Sequence, residues 1–423
     1  MEQLFTQALG LTAPWAVQSV DFRQDAGEIE FVVECSAKRL PCPACGAADQ
    51  PIHDRLERRW QHLHFFQFKA FIRARLPRVA CRECGKTTQV DAPWTRPGSG
   101  FSLLMEAFVI ALCQAMPVAE VARLVGVSDD RIWRCLCHHV EQARAKEDHS
   151  TVTRIAVDET SARRRHRYIT LFHDLDAGRL VFATAGRTAA SFAAFCEDLR
   201  QHGGSPGQIT DVSMDLSKAY QAGARDHCPQ ARVSFDPFHV VALASRALDE
   251  VRRAETKLTP ELKGSRWATL KSAEDWTREQ IHLMHWLQRT TLRTARAWRL
   301  KEALRGVFTD HPAPPEAEHR LRRWISWARR SRLAPFKRLG ATVREHLAGI
   351  VQHFESGLSN GFAEYASVGN ISCAKDRQEP NLRRISGVTF PVRNTPDLFG
   401  EVTDARKSSS RHFSIPSSSA IPA

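Results

Sequence analysis

The sequence contains no apolar run that approaches the roughly 20 residues needed to cross a bilayer, which argues against a membrane-spanning helix. Its first residues, Met1-Glu-Gln-Leu-Phe5, lack the basic segment and apolar stretch of a secretion signal. No repeat of fixed period is present, which argues against a repeat architecture. We therefore expect a protein of the reducing cytoplasm.

The length and charge of the chain indicate several domains and an anionic partner. The 423 residues leave room for about two to four domains with a substantial core. Lys and Arg number 60 against 47 Asp and Glu, a formal net charge of +13. This excess favours a nucleic-acid partner, because Lys and Arg neutralise phosphates. A basic surface without a dedicated ligand is the alternative.

Four of the eleven cysteines form two copies of one knuckle, C-x-x-C-G. They are Cys42 and Cys45 in the first copy, and Cys81 and Cys84 in the second. Four thiolates that close a tetrahedron make a structural Zn²⁺ site without an open position for catalysis. A reducible thiol pair is the alternative. The basic, aromatic segment between the knuckles would suit a DNA backbone, or would form a strand pair with solvated arginines.

A helix-turn-helix pattern follows the knuckles. The pattern predicts one helix over 117–125, with Val118, Val121, Ala122 and Val125 on one face, and a second helix over 129–140. A turn at Gly126 separates the two. In the second helix, Arg131 and Arg134 would face outward, where contacts to the major groove are made. Look-alikes are common in helical proteins, so the DNA-binding interpretation depends on the neighbouring zinc motif and the positive charge.

From Thr151 the sequence alternates in the manner of strands, in the order β-β-β-α-β-α-β. This order is that of an RNase H-like sheet, with Asp158 and Asp215 at the ends of adjacent strands. The stretch 240–350 is helical and rich in Trp and Arg. The indoles there would fill the core of a helical bundle; stacking on bases is the alternative.

Three acidic residues, Asp158, Asp215 and Glu364, suggest the chemistry. Carboxylates delivered by two strand ends and a helix can converge on two Mg²⁺ ions, which activate one oxygen and stabilise another during phosphodiester displacement. Taken singly, Asp158 would be a strand-end turn residue and Asp215 the N-cap of the next helix. In this order along the chain we interpret them as metal ligands.

With these motifs on one chain, residues 38–364 resemble the ISL-three family of bacterial insertion-sequence transposases. The matching stretches are the paired knuckles, Val157-Asp-Glu159, His166-Arg-Tyr168, Asp174 to Arg179, Asp215 with Tyr220, Asp236-Pro-Phe-His-Val240, and Ser359 to Glu364. The resemblance implies a DDE catalytic core with Asp158, Asp215 and Glu364, bound Mg²⁺, a helical insertion before the third acid, and recognition of terminal inverted repeats in DNA. A homo-oligomer at the bacterial nucleoid is expected, because two element ends must be brought together.

Five further residues are weaker candidates for this site. Asp236 and His239 would line the site or contact DNA, with a buried, hydrogen-bonded His239 as the alternative. Arg163, Arg164 and Arg165 would suit the scissile DNA backbone, with an exposed basic hairpin arm as the alternative.

The predicted fold class is a multidomain α+β protein, with a zinc ribbon, a helix-turn-helix, and an RNase H-like α/β core interrupted by an all-helical insertion. The predicted segments are an N-terminal segment (1–37), the zinc ribbon (38–97), the helix-turn-helix (98–150), the first part of the core (151–256), the insertion (257–350), the core segment with the third acid (351–364) and an atypical tail (365–423).

The tail departs from the pattern of the family, which continues after the third acid into a long basic amphipathic helix. Gly369, Pro380, Pro391 and Pro396 would break such a helix. We hypothesise that the reading frame changes just after Glu364, which predicts a disordered tail and weak or absent activity. The alternative function is that of a non-catalytic DNA-binding protein or repressor derived from a transposase.

Overall fold

The structure, a computed structural model, describes residues 2–163 and 167–358, with side chains except at 161–163 and 167. These residues form two compact units, 2–138 and 139–358. In both described ranges, no helix is long and apolar enough to span a bilayer. The predicted multidomain α+β class is confirmed, because each unit combines a sheet with helices.

The first unit is built around a six-stranded sheet in the order β1-β2-β5-β4-β3, with β6 paired to β5. Its elements are α1 (Glu2–Ala8), β1 (Trp15–Arg23), β2 (Glu28–Cys35), β3 (Arg39–Leu40), β4 (Gln50–Gln61), β5 (Lys69–Ala80), β6 (Thr87–Gln89), α2 (Leu103–Ala115), α3 (Val118–Val125) and the first part of α4 (Asp129–Arg144), which continues into the second unit. The strands β1 and β2, from the segment 1–37, join the sheet of the zinc-ribbon strands, which no pattern in the sequence predicts. The parallel pairing of β2 with β5 makes that connection.

Three tryptophans form the centre of the core in this unit. The ring of Trp94 meets those of Trp15 and Trp60 edge-on, at centroid distances of 5.2 and 5.5 Å. Edge-to-face contacts of this kind stabilise a core beyond the area that they bury. The three residues come from β1, from β4 and from the segment after β6, so one cluster ties the N-terminal strands to the ribbon.

The predicted helix-turn-helix is present as α3 and α4. The inward face of α3 is buried, as predicted, through Val118, Val121, Ala122 and Val125. Gly126 ends this helix with a φ of +73°, a left-handed conformation that glycine adopts without strain.

The second unit contains a five-stranded sheet in the order β11-β10-β7-β8-β9. Its elements are β7 (Arg154–Arg163), β8 (Arg167–Asp174), β9 (Arg179–Ala185), α5 (Ala189–Gln201), β10 (Asp211–Met214), α6 (Lys218–His227), β11 (Arg232–Phe235) and α7 (Pro237–Thr256). The strands β7, β8 and β9 are antiparallel, whereas β10 runs parallel to β7 and to β11. The predicted RNase H-like order is therefore confirmed.

The core of this sheet explains why β7 is its central strand. Ile155 and Val157 are fully buried on one face of β7, where the sheet packs against the helices. Phe172 of β8 stacks on Phe195 of α5, with ring centroids 4.3 Å apart. Strands that are covered by helices are typically apolar runs, and β7 has this pattern from Ile155 to Val157, before Asp158.

The insertion is helical, as predicted. Its helices, together with the one that returns to the sheet, are α8 (Arg266–Leu270), α9 (Arg278–Arg289), α10 (Arg293–Thr309), α11 (Pro314–Arg330), α12 (Ala334–Glu345) and α13 (Leu347–Ser356). The tryptophan prediction holds only in part. Trp324 is buried and its indole N–H donates to the Leu300 carbonyl at 2.8 Å, but Trp267 and Trp327 remain 58% and 43% exposed.

Helix α13 returns the chain from the insertion to the edge strand β11, and a glycine permits this approach. A Cβ atom on Gly349 would lie 2.5 Å from Cε2 of Phe235 and 3.2 Å from the carbonyl oxygen of Val233. The helix that leads towards Glu364 is therefore seated on the sheet at a position where only glycine fits without movement.

We expect Gly349→Ala to destabilise the protein by about 1–3 kcal/mol, because Phe235 or α13 must shift to admit the methyl group. Gly306→Ala in α10 is the matched control, since a Cβ there meets nothing within 4 Å. The control should be neutral, or stabilising by up to about 1 kcal/mol through the higher helix propensity of alanine. Urea unfolding measures both; equal stabilities of the two variants would contradict the close packing of α13 on β11.

Candidate functional site

Three aspartates lie side by side across three parallel strands. Asp215 and Asp236 directly follow β10 and β11, whereas Asp158 lies within β7, which continues to Arg163, so the predicted strand-end position of Asp158 is wrong. Ser213 of β10 pairs with Ala156 of β7, so that two residues further on Asp215 is level with Asp158. Met214 pairs with Phe235 of β11, which places Asp236 level with Asp215 on the other side. Neighbouring strands are about 4.8 Å apart, so the three carboxylates are adjacent at one edge of the sheet.

Asp158 is buried, with an exposed fraction of 8%. Its Oδ1 atom accepts a 2.7 Å hydrogen bond from the amide of Glu159. Burial raises the pKa of Asp158, and the neighbouring carboxylates of Asp236 and Asp215 raise it further, against the opposing effects of the Glu159 amide and His239. A carboxylate in such a place is stabilised by a cation.

The other two aspartates, Asp215 and Asp236, stand differently with respect to the helices that follow them. The amide of Ser217 donates to Oδ1 of Asp215 at 2.9 Å, and Ser217 itself is the N-cap of α6. Asp215 is therefore not the N-cap, which was the alternative interpretation. Asp236 is the N-cap of α7 by position, but its side chain makes no capping hydrogen bond and is almost fully buried.

His239 faces two of these acids from the first turn of α7. Its Nε2 atom lies 4.0 Å from Oδ1 of Asp158 and 3.9 Å from Oδ2 of Asp236. Among the described residues this nitrogen has no hydrogen-bond partner. The alternative of a buried, hydrogen-bonded histidine is therefore not what the structure shows, and the gap would accommodate a shared ligand.

A second group of polar side chains adjoins Asp158 through Glu159, which the sequence analysis did not assign to the site. The Tyr220 hydroxyl lies 2.9 Å from Oγ1 of Thr170 and 3.5 Å from Oε2 of Glu159. Arg187 lies 3.6 Å from Oε1 of Glu159, with its guanidinium over the Tyr168 ring. Arg187 was missed because it follows β9 in a loop, where no local pattern distinguishes it from other arginines.

Several predicted residues lie outside the described part of the chain. They are Glu364, Arg164, Arg165, the side chain of Arg163 and the tail 365–423.

The four knuckle thiols of the first unit come together as predicted. Their sulfur atoms all lie within 4.8 Å of one another, with 3.8 Å between Cys42 and Cys84 and 3.6 Å between Cys45 and Cys81. A tetrahedron with Zn–S bonds of about 2.3 Å has edges of about 3.8 Å, so these spacings suit zinc. Hydrogen bonding from the Cys84 amide lowers the pKa of Cys81 to about 7, towards the thiolate that binds metal.

The basic segment between the knuckles forms the strand pair β4–β5. Arg59 and Arg73 form ion pairs with Glu30 at 2.7 and 2.9 Å, and Arg78 pairs with Asp54. These arginines are engaged within the sheet, which favours the strand-pair interpretation over a DNA grip by the same side chains.

One residue of the helix-turn-helix does not face outward. The prediction for Arg131 is wrong in this respect: its guanidinium lies over the Phe101 ring at 4.1 Å and donates to the Gly100 carbonyl. The guanidinium satisfies a loop carbonyl there, which sequence periodicity does not reveal. Arg134, one turn later, is exposed as predicted.

Three family models match the chain in the order of these sites. They are a zinc finger of the transposases IS204/IS1001/IS1096/IS1165 at residues 38–84, a helix-turn-helix domain of transposase family ISL3 at 90–140, and an ISL3 transposase domain at 155–367. Transposases for the insertion sequence element IS1557 from two strains of Mycobacterium tuberculosis are 32% identical over 404 residues, covering 86% of this chain and 88% of theirs.

The chain belongs to the ISL3 (ISL-three) family of transposases. A transposase for IS1001 from Bordetella parapertussis is 23% identical over 373 residues, covering 86% of this chain and 91% of its own. The transposase carries a DNA-binding helix-turn-helix and a DDE domain, and the four-cysteine cluster of its zinc-ribbon domain supports structural zinc. The DDE match includes Glu364 and ends at residue 367.

We expect the purified transposase to contain about one zinc ion per chain, held by the four knuckle thiolates. Cys81→Ser should lose this zinc and destabilise the first unit, because each structural ligand contributes to folding. Cys137→Ser, outside the cluster, is the control and should retain the metal. Elemental analysis after gel filtration measures both; full zinc content in Cys81→Ser would remove this ligand assignment.

The raised pKa of Asp158 predicts a pH-dependent stability. Ionisation of this carboxyl costs folding free energy, and the cost appears as pH rises above the ordinary aspartate pKa of about 3.9. Without added divalent ions, Asp158→Asn should therefore melt at a higher temperature than the wild type at pH 7, with a difference that shrinks as pH falls towards 4.

Asp176→Asn provides the control of opposite sign. Hydrogen bonding from Arg154 lowers the pKa of Asp176, so its ionised form contributes stability that is present above the ordinary pKa and is lost as pH falls. This variant should melt at or below the wild-type temperature at pH 7. Circular dichroism melts from pH 4 to 7 measure both; a destabilised Asp158→Asn at pH 7 would contradict the electrostatic origin of the effect.

Proposed function

We propose that this transposase binds the terminal inverted repeats of its element and catalyses Mg²⁺-dependent DNA cleavage and strand transfer. The observation that carries the proposal is the register of β7, β10 and β11, which brings Asp158 and Asp215 side by side. Oxygen ligands of this kind are those that Mg²⁺ prefers. Glu364, within the family match, is proposed as the third acid.

The surroundings of these residues fit such ions. Asp158 is a buried acid with raised pKa, and Nε2 of His239 faces it without a hydrogen-bond partner among the residues described. When bound, two Mg²⁺ ions would activate the attacking water or 3′-hydroxyl and stabilise the leaving oxygen. Asp158 and Asp215 would hold them, and Asp236 and His239, which lie beside these acids, would orient what is bound there.

The packing of the sheet serves this chemistry by keeping the acids in place. Each of the two acids follows a buried neighbour, Val157 on β7 and Met214 on β10, so the carboxylates need little reorganisation to receive an ion. Helix α13, seated on β11, carries the chain towards Glu364. The third acid would thus be delivered to the edge of the sheet where the first two lie.

The N-terminal elements are proposed to recognise the DNA. The recognition helix α4 presents Arg134, and the zinc ribbon braces the sheet of the same unit. Arg163, Arg164 and Arg165 are proposed to contact the scissile backbone next to the first acid. A homo-oligomer is expected, because strand transfer joins two element ends.

The test uses labelled duplexes that carry the element ends and flanking sequence, incubated with the full chain and Mg²⁺. We expect cleaved and joined products with the wild type, and none detectable with Asp158→Asn or Asp215→Asn, since each removes a charged metal ligand. Both variants should still bind the duplex. Asp176→Asn is the control, because this aspartate lies in the β8–β9 turn at the opposite end of β7.

Cleavage by Asp158→Asn at the wild-type rate would remove the assignment of this acid. Binding of the ends by the wild type without cleavage in Mg²⁺ or Mn²⁺ would instead support a non-catalytic DNA-binding protein or repressor. The end of the family match at residue 367 is the observation that keeps this second function under consideration.

A further inference from the structure

An open groove runs between α10 and α11 of the helical insertion. Two adjoining hollows share Trp327 and Arg330 and together make up this groove. The arginines that line it are Arg296, Arg299, Arg320, Arg323, Arg330 and Arg332. Its one acidic lining residue is Asp310, within the part of the chain that the structure describes.

The positive charge of the groove is largely uncompensated. Arg320 is neutralised by Asp310 at 2.8 Å and by Glu316 at 2.7 Å. For the other five arginines, the described residues provide no ion pair with an acid. Arg299, Arg323 and Arg330 are exposed as well. Arg299 and Arg330 each donate one guanidinium N–H to a backbone carbonyl, of Gln288 at 2.6 Å and of Ser326 at 3.3 Å, which leaves further N–H groups for an anion.

Arg322, which does not line the groove, contrasts with the unpaired arginines Arg323 and Arg330 of the same helix. Arg322 of α11 forms a 2.6 Å ion pair with Glu318, one turn earlier on the surface away from the groove. Pairs with this spacing are the ordinary way in which exposed helices balance charge. In the groove, Arg323 and Arg330 of α11 have no acid at i−4, where His319 and Ser326 stand, whereas Arg320 is paired in this way with Glu316.

The two tryptophans of α11 differ in exposure: Trp324 is part of the core, whereas Trp327 is at the surface of the groove. Trp324 is buried and hydrogen-bonded to α10, so it holds the two helices together. Trp327, one turn later, is 43% exposed and stands between the groove arginines. An exposed indole among arginines is suited to a partner with both phosphate charge and flat apolar faces.

We propose that the groove between α10 and α11 binds a DNA strand, with the arginines on its phosphates and Trp327 against a base or sugar face. The contact is independent of base sequence, because phosphates carry no sequence information. It gives the insertion a role in holding DNA while the acids act, so it rests on the proposed function and extends it. The charge of the groove favours a polyanion over an apolar partner.

Substitutions at Gly306 test DNA binding by the groove, because the structure has room for a side chain at this position. A Cβ atom there meets nothing within 4 Å, and Gly306 lines the groove. Gly306→Glu and Gly306→Gln therefore differ in charge but not in size. We expect the full-length Gly306→Glu variant to bind a fluorescent element-end duplex several-fold more weakly than Gly306→Gln at moderate salt, with equal melting temperatures.

Two further variants address the arginines and the indole. Arg330→Gln should lower the slope of log Kd against log salt by about 1, as expected when one phosphate contact is lost. Arg322→Gln, on the paired face, should leave the slope unchanged. In the wild type we expect bound DNA to quench tryptophan fluorescence through Trp327. This quenching should be lost in Trp327→Phe and retained in Trp286→Phe, whose tryptophan is also exposed.

Equal affinities of Gly306→Glu and Gly306→Gln, with unchanged salt slopes, would overturn the proposal and leave the groove to a partner other than DNA. This outcome is distinct from failure of the proposed function. Asp158→Asn tests cleavage at saturating DNA, whereas the groove variants change affinity. Gly306→Glu could lose affinity for DNA while Asp158→Asn still cleaves normally. That result would support DNA binding by the groove and would contradict the catalytic role proposed for Asp158.

Discussion

The parallel register of β7, β10 and β11 is the constraint on which the site depends. Because side chains alternate between the two faces of a strand, a slip of one residue would turn an aspartate away from its neighbours. The alternation that buries Val212 and Met214 on β10 also specifies where Asp215 lies. Packing of the core and placement of the acids are thus consequences of the same backbone pairing.

This arrangement carries an electrostatic cost that the rest of the unit must offset. Asp158, Asp215 and Asp236 are brought together where water is partly excluded, and the pKa of Asp158 rises accordingly. The core around Phe172, Phe192 and Phe195 provides the apolar burial that holds the sheet despite this repulsion. A site that is unfavourable when empty of cations is well suited to bind them.

The arginines behind the net charge of +13 differ in how far acidic partners neutralise them. In the first unit, Arg59, Arg73 and Arg78 are held in ion pairs on the sheet and brace the strands between the zinc knuckles. In the insertion, Arg323 and Arg330 face an open groove without acidic partners among the residues described. Composition alone treats all these arginines alike, although only the second group is available to a phosphate.

Features of this protein that depend on neighbouring residues in the chain could be predicted from its sequence. The C-x-x-C-G knuckles, the apolar face of α3 and the acids Asp158 and Asp215 beside apolar strand residues depend on short spacings. That Asp158 lies within β7 and not at its end was not among these local features. Tertiary structure alone decided that β1 joins the ribbon sheet through β2, that Arg131 turns inward to a loop carbonyl, and that Asp236 is level with Asp215. These outcomes depend on contacts between residues far apart in the chain, whose energies no local pattern encodes.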